Sequence, residues 1–235
     1  MSTAAAAPTA APSKAGQILK SSLQQLFVFA ALIVVFVFFM IFANNFGPGI
    51  IPDILLQAAA IGTMALGATF IIATGGIDLS VGTGMTFCAV MAGVFMSSAF
   101  MNLPLGIGLL LTILVGIAIG LVNGFLIAYL DIPPFIATLA MMMVTRGLSL
   151  IISKSSSIKI ENPDYSAISN GRILPFLSNA ALIFVVLGIV AAFLLGKTLL
   201  GRYALAIGSN EEATRLSGIN VRLWKMLVYV TAGIF

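Results

Sequence analysis

One acidic residue stands inside the glycine-rich stretch ATGGIDLSVG, residues 73–82, and its position is chemically unusual. Asp78 carries the single formal charge between Ile54 and Leu130. A carboxylate within apolar sequence is costly unless it lies at a boundary, has hydrogen-bonding partners or lines a water-filled path. The glycines before it and the serine after it therefore suggest a turn built around this carboxylate.

Two roles are open for Asp78. Gly75 and Gly76 permit a sharply turned backbone, and Ser80 offers a hydroxyl group two residues further on. In the first role, the carboxylate accepts hydrogen bonds from Ser80 or from the N–H groups that open the next helix, where negative charge is favourable. In the second role, the turn is a polar part of a solute path or of its gate, because irregular backbone at membrane depth needs cover by protein or water.

A second polar side chain, Asn123, lies within a stripe of small residues. The stripe recurs every four positions, at Gly116, Gly120, Gly124 and Ala128. This spacing predicts a helix face that another helix approaches closely. Asn123 either lines a path or forms an interhelical hydrogen bond, and both interpretations remain open. Further hydrogen-bonding candidates for a neutral solute are Thr63, Thr69, Asn102, Thr138 and Thr145.

A short charged helix is predicted over 210–217. Ser209 followed three residues later by Glu212 has the pattern of a capping box, and Gly218 is a suitable stop. Acidic residues in the first turn and Arg215 in the last match the helix dipole. Because so short a helix is marginal in water, it must dock either on its own chain or in a groove of a partner.

The composition identifies the elements that must position these residues. The chain is 60% hydrophobic and 8% charged, whereas soluble domains have about 25% charged residues. We therefore predict an all-α, polytopic membrane protein, for which a net charge of +4 does not indicate nucleic acid. Histidine is absent and Cys88 is the single cysteine, so no metal site, internal disulfide or cofactor is predicted. The GKT at 196–198 is not a phosphate-binding loop, since position 191 is alanine.

Six spans and the start of a seventh follow from the apolar runs. They are predicted at 26–43, 54–73, 81–101, 104–130, 134–152 and 177–195, with the seventh beginning near Leu223. Segments 1–25 and 196–222 together hold six lysine and arginine residues, and 153–175 holds three. The positive-inside rule therefore predicts a flexible cytosolic tail over 1–25, a periplasmic loop at 153–175 and a cytosolic loop at 196–222. The end at Phe235, inside an apolar run, predicts that the membrane domain over 26–235 is incomplete.

Several stretches, taken in order, resemble the permease subunit of bacterial ABC importers for simple sugars, of the ribose/xylose/galactose type. They are TGGIDLSVG (74–82), PPFIATL (133–139) with RGL (146–148), and GRYALAIGSNEEATRLSGINV (201–221). The resemblance implies an inner-membrane protein embedded in lipid that imports a ribose-like monosaccharide. It also implies three partners: a cytosolic ATP-binding subunit, a periplasmic sugar-binding protein and a second permease copy. ATP hydrolysis belongs to the ATP-binding subunit, so this chain is not expected to be an enzyme.

The resemblance also assigns a role to the short helix. EATRLSG is similar to the importers' coupling loop, which docks on the ATP-binding subunit, and Glu212, Ala213 and Gly218 match its pattern. Thr214 departs from that pattern, which has a second alanine there. The predicted coupling residues are Glu211, Glu212, Ala213, Arg215, Leu216 and Gly218. The alternatives are an ion-coupled secondary transporter, which has no need of such a helix, and an inactive truncated permease. A membrane enzyme would need a cluster of catalytic groups that the sequence lacks.

Overall fold

The computed structural model describes residues 14–43, 47–173 and 177–235. Within these ranges the regular structure is helical, in agreement with the predicted all-α class. The chain divides into two compact units, Met1–Ile51 and Pro52–Phe235. The first holds helix α1 (Lys14–Phe42) and a 3₁₀ turn (Pro48–Ile50). Of the predicted tail, residues 1–13 lie outside the described part of the chain.

The remaining helices follow in order along the chain. They are α2 (Ile51–Ala73), α3 (Val81–Met96), α4 (Leu105–Ala128), α5 (Pro134–Ser153), α6 (Pro163–Asn170), α7 (Asn179–Lys197), α8 (Leu199–Ser209), α9 (Glu211–Leu216) and α10 (Val221–Ile234). In the described residues, α2, α4, α5 and α7 are long and apolar enough to cross a bilayer. The segment Leu26–Phe42 and α3 are shorter apolar helices.

The predicted third span, 81–101, is too long. Helix α3 ends at Met96, and the chain turns back so that Met101 N–H donates to the Val94 carbonyl. Asn102 then adopts a positive φ of 47°, and the next helix begins directly after Pro104. A residue in this left-handed conformation cannot continue a right-handed helix, so the apolar run contains a turn that its composition does not reveal.

The small-residue stripe of α4 packs against α10, as its spacing predicts. A Cβ atom added at Gly116 would collide with the Gly233 carbonyl oxygen. At Gly124, an added Cβ atom would lie 2.9 Å from Met226 Cα. Glycine therefore brings the two backbones into direct contact, as small residues do between membrane helices.

The predicted loop at 196–222 contains one helix more than expected. Helix α8 buries Gly201, Ala204 and Ile207, which recur every three residues and form one face. Ala204 joins the buried cluster of Phe70 from α2 and Val228 from α10. The chain between α7 and α10 is therefore a packed part of the second unit and holds α9 in a fixed place.

Candidate functional site

The turn between α2 and α3 is organised around Asp78. Its Oδ1 accepts two hydrogen bonds from Ser80, one from the backbone N–H at 2.7 Å and one from the hydroxyl group at 2.6 Å. Gly75 has a φ of +75°, a conformation that favours glycine. Gly76 fits closely beneath Tyr229, where an added Cβ atom would lie 2.9 Å from the phenol oxygen. The predicted bond from Ser80 to Asp78 is confirmed.

The Ser80 hydroxyl also joins this turn to α4. Asn123 Nδ2 donates to Ser80 Oγ at 3.0 Å, and both side chains are 1% exposed. The bond connects residues that are far apart in sequence, so it fixes the turn against α4. Interhelical bonding is therefore one role of Asn123. Its Oδ1 has no hydrogen-bond partner among the described residues.

A second branch of the network reaches α5. The Thr83 hydroxyl donates to the Ser80 carbonyl at 3.1 Å, and the Thr145 hydroxyl contacts Thr83 Oγ1 at 2.8 Å. Thr145 is 1% exposed and also contacts the Met141 carbonyl at 2.9 Å. The polar groups of the turn thus connect three helices of the second unit.

A cavity of about 390 Å³ opens beside this network, between α2, α3, α4 and α10. Asp78, Ser80, Asn123 and Thr63 are among its lining residues. Cys88 also lines it. The other path or hydrogen-bonding residues predicted from the sequence are not part of the lining. They are Gly75, Gly76, Thr69, Asn102, Thr138 and Thr145.

Tyr229 is a site residue that the sequence did not indicate. It is 2% exposed, lines the cavity, and its hydroxyl group lies 3.5 Å from the Ile77 carbonyl oxygen. Tyr229 lies in α10 between apolar neighbours, Val228 and Val230, so its local sequence does not mark it as a site residue. The packing of α10 against α4, in which the Tyr229 backbone contacts Gly120, is what places this tyrosine at the site.

The second candidate site is α9. Its N-cap is Asn210, whose Oδ1 accepts from the Ala213 N–H at 2.9 Å. The predicted capping box with Ser209 as N-cap is therefore wrong, because Ser209 is the last residue of α8. Glu212 instead binds Arg215 at 2.7 Å. This bond raises the pKa of the Arg215 guanidinium above its usual value.

Most of α9 faces solvent. Ala213 is exposed, and Leu216 is 78% exposed although it is a large apolar residue. Gly218 ends the segment with a φ of +83°, as its predicted stop role requires. Glu211 binds Lys225 of α10 at 2.6 Å, and the Lys225 side chain is only 21% exposed. The helix is thus tied to α10 on one side and presents an apolar residue on the other.

The apolar helices and their buried polar turn define a polytopic helical membrane protein. Residues 50–235 match the family described as the permease component of branched-chain amino acid transport systems, and the chain belongs to that family. It is accordingly a multi-pass protein of the inner membrane.

Individual relatives carry the names of sugar permeases. The chain is 40% identical to the galactofuranose transporter permease protein YtfT of Escherichia coli (strain K12), over 77% of this chain and 52% of that protein. It is 34% identical to the fructose import permease protein FruF of Bifidobacterium longum (strain NCC 2705), over 79% of this chain and 52% of that protein. It is 32% identical to the ribose import permease protein RbsC of Haemophilus influenzae, over 92% of this chain and 67% of that protein.

These relatives confirm the resemblance found in the sequence. The chain spans about half the length of the first two relatives. No solved structure matches it.

Proposed function

We propose that this chain is part of the transmembrane permease subunit of an ATP-driven importer that moves a simple sugar from the periplasm to the cytoplasm. The family and the printed names of its relatives support this proposal. Asp78 is the single charged residue of the cavity lining, and the neutral polar groups beside it, Thr63, Ser80 and Asn123, suit a solute that forms hydrogen bonds.

The proposed topology has a cytosolic N-terminus, six spans and the beginning of a seventh. Six basic residues flank the membrane on the proposed cytosolic side and three on the proposed periplasmic side. The cytosolic six are Lys14, Lys20, Lys197, Arg202, Arg215 and Arg222, and the periplasmic three are Lys154, Lys159 and Arg172. The 3.4 Å pair between Arg222 and Asp131 is compatible with this topology, because it places the end of α4 beside the start of α10.

The main support for the proposal is that α9 is a capped helix with an exposed apolar side chain. Helix α9 is capped, Lys225 of α10 binds its Glu211, and its apolar residue Leu216 is exposed. Such a helix suits insertion into a groove of a partner protein. In our proposal that partner is the ATP-binding subunit, and the docking residues are those predicted from the sequence, Glu211, Glu212, Ala213, Arg215, Leu216 and Gly218.

Movement of α9 would reach the turn through α10. The Glu211–Lys225 pair joins α9 to α10, and α10 packs along α4 and over Gly76. We propose that ATP binding and hydrolysis shift α9, and that α10 passes the shift to a gate or path segment. That segment consists of Gly75, Gly76, Asp78, Ser80 and Asn123. Such a mechanism works only if sugar and ATP have different affinities for the inward-open and outward-open states.

Two further partners are proposed, a periplasmic sugar-binding protein and a second copy of the permease. A periplasmic sugar-binding protein would dock on the side of 153–175, the segment that contains α6. A second copy of the permease would complete the transporter within the lipid. Exposed apolar side chains on α7, such as Val186 and Ile189, suit contact with lipid or with another helix.

Substitutions in α9 of the full-length protein test the coupling role. We expect Glu212→Ala and Gly218→Val to lower sugar uptake by roughly tenfold, the change that corresponds to about 1.4 kcal/mol of docking free energy. Membrane insertion should remain unchanged. Asp131→Asn is the control: it removes a 76% exposed negative charge near the same end of α10, suits the positive φ of 53° at this position, and should keep normal uptake. Normal uptake by both α9 variants would refute the coupling assignment.

A further inference from the structure

Arg146 is a charged residue inside a membrane span. Among the four helices of the described residues that are long enough to cross a bilayer, it is the one charged residue away from a helix end. Helix α5 has 20 residues, which matches a hydrocarbon core of about 30 Å. Arg146 lies seven residues before the last residue, Ser153, and hence about 10 Å inside that end of the helix. Charged side chains at such a depth are rare and mark substrate or ion pathways.

The Arg146 guanidinium is exposed and lacks a protein partner in the part of the chain that the structure describes, where it forms neither an ion pair nor a hydrogen bond. The nearer end of α5 is its C-terminal end, whereas side chains on a helix lean toward the N-terminus. Extension of this side chain to the nearer headgroups therefore runs against its natural direction. Because an unpaired charge in hydrocarbon is costly, Arg146 needs water or a polar ligand at its own depth.

Hydrogen bonding fixes which side of α5 carries Arg146. The Thr145 hydroxyl is buried and contacts Thr83 Oγ1 of α3 at 2.8 Å, on the side where α5 packs against α3 and α4. Successive helix residues are about 100° apart, so Arg146 lies at the border between this buried side and the open side. The residues that share the open side with it are Leu139, Met143 and Leu150, which are 38%, 55% and 51% exposed.

A guanidinium group in these surroundings suits a sugar ligand. It carries five N–H donors in a planar fork and has no acceptor, so the oxygen atoms of two neighbouring sugar hydroxyl groups can accept from its two arms. Hydrogen bonds from a charged donor are stronger than those between neutral groups. Met143 and Leu150 offer apolar surface to the C–H groups of the same sugar, and few polar anchors within an apolar wall are typical of a small-molecule site.

We propose that Arg146 lines the solute path at membrane depth and donates hydrogen bonds to the hydroxyl oxygens of the passing sugar. Met143 and Leu150 form the apolar surface beside it. The inference rests on the proposed sugar-import function and adds to it a solute-binding residue on α5, outside the gate or path segment already named.

Cysteine labelling tests whether this side of α5 contacts water. The full-length permease is reconstituted with its partners in vesicles, after Cys88 and any cysteine outside residues 1–235 are replaced by alanine. A sulfonated methanethiosulfonate reagent, present on both sides of the bilayer, reacts with a thiolate and therefore needs water. We expect Met143→Cys and Arg146→Cys to be labelled at least tenfold faster than the controls Val144→Cys and Leu148→Cys. The two control residues are also exposed but lie on the opposite side of the helix.

Protection from labelling tests whether Arg146 binds the sugar. The probes are D-ribose, D-galactose, L-arabinose and D-fructose, and the reporter is Met143→Cys. We expect a transported sugar to slow labelling, and Arg146→Leu to raise the half-protecting concentration by roughly tenfold or more, as loss of a charged hydrogen bond predicts. Arg146→Lys keeps the charge without the planar fork and should recover only part of this loss. Leu148→Ala is the control and should leave the half-protecting concentration unchanged.

The outcomes separate this inference from the proposed function. ATP-dependent uptake without labelling of Met143→Cys and Arg146→Cys would leave the import function standing and overturn the inference, because Arg146 then lies in lipid or in a dry ion pair. Equal labelling at all four positions, no protection by a transported sugar, or an unchanged half-protecting concentration in Arg146→Leu would overturn it as well. Labelling and sugar protection without ATP-dependent uptake would support the binding role and refute the import function. If Arg146→Leu fails to insert, the comparison with Arg146→Lys decides.

Discussion

Replacing Gly120 by alanine tests the close contact between α4 and α10. The added Cβ atom would collide with the Tyr229 carbonyl oxygen and lie 3.0 Å from Val230 Cα. Both are backbone atoms, so no side-chain rotation makes room and the helices must separate. Because Gly116 and Gly124 contact α10 in the same way, the separation would loosen the contact on both sides of Gly120.

The size of the effect follows from the distances. Non-bonded carbon atoms prefer about 3.5–4.0 Å, so the helices must part by roughly 0.5–1 Å, which forfeits about a quarter to a half of the dispersion energy of each atom pair across the contact. Overpacking costs about 1–3 kcal/mol, and a contact made by three glycines falls in the upper part of that range. Alanine regains about 1 kcal/mol of helix propensity. We expect a net loss of roughly 1–2 kcal/mol in the free energy of unfolding.

Equilibrium unfolding of the purified protein in bilayer-like micelles measures this loss. Gly188→Ala in α7 is the matched control, because no atom lies within 4 Å of the added Cβ. That variant should be as stable as the native protein or up to about 1 kcal/mol more stable. Equal stability of the two variants would refute the direct backbone contact between α4 and α10.

Two further substitutions test how α9 is held. Asn210→Ala removes the N-cap and should speed hydrogen exchange of the Ala213 amide by roughly fivefold, as loss of about 1 kcal/mol predicts. Ser209→Ala should leave this exchange rate unchanged, and the reverse order of the two variants would contradict the cap assignment. Lys225→Met breaks the pair with Glu211 and should reduce sugar uptake several-fold. Arg222→Met breaks the pair with Asp131, in which the Arg222 side chain is 60% exposed and the Asp131 side chain 76% exposed, and it should have little effect on uptake. Equal uptake by both variants would argue against a path through α10.

The positions of the spans are largely predictable from the sequence because long apolar runs leave few alternatives to a helix. Helix α4 (Leu105–Ala128) agrees with the prediction of 104–130 to within two residues. The sequence does not reveal the turn after Met96, because residues 97–101 contain no charged residue, proline or glycine to mark it. Periodicity alone does not distinguish such a turn from further helix.

The packing partners are less predictable. The stripe at Gly120 indicates that some helix approaches, but not which one, because α10 is distant in sequence. The partner of Asp78, Ser80, was found because it lies two residues away. The bonds of Asn123 and Lys225 depend on how the helices pack and cannot be read from local spacing.

The cap of α9 shows a different limit. Ser209 and Asn210 are adjacent, and both residue types cap helices about equally well. The sequence favours Ser209 because Glu212 follows at the capping-box spacing. In the structure α8 extends through Ser209, so its φ and ψ angles are helical and Asn210 takes the cap position. A tertiary constraint, the packing of α8, therefore decides between two locally equivalent choices.

The most direct test of the proposed function is uptake of labelled monosaccharides by cells that lack the complete gene and then regain it. Each uptake assay is run with the ATP-binding partner intact and with a catalytically dead version. We predict that uptake of at least one sugar returns with the gene and vanishes with the dead partner. Uptake that survives the dead partner and collapses with the proton gradient would contradict the importer proposal and favour an ion-coupled transporter.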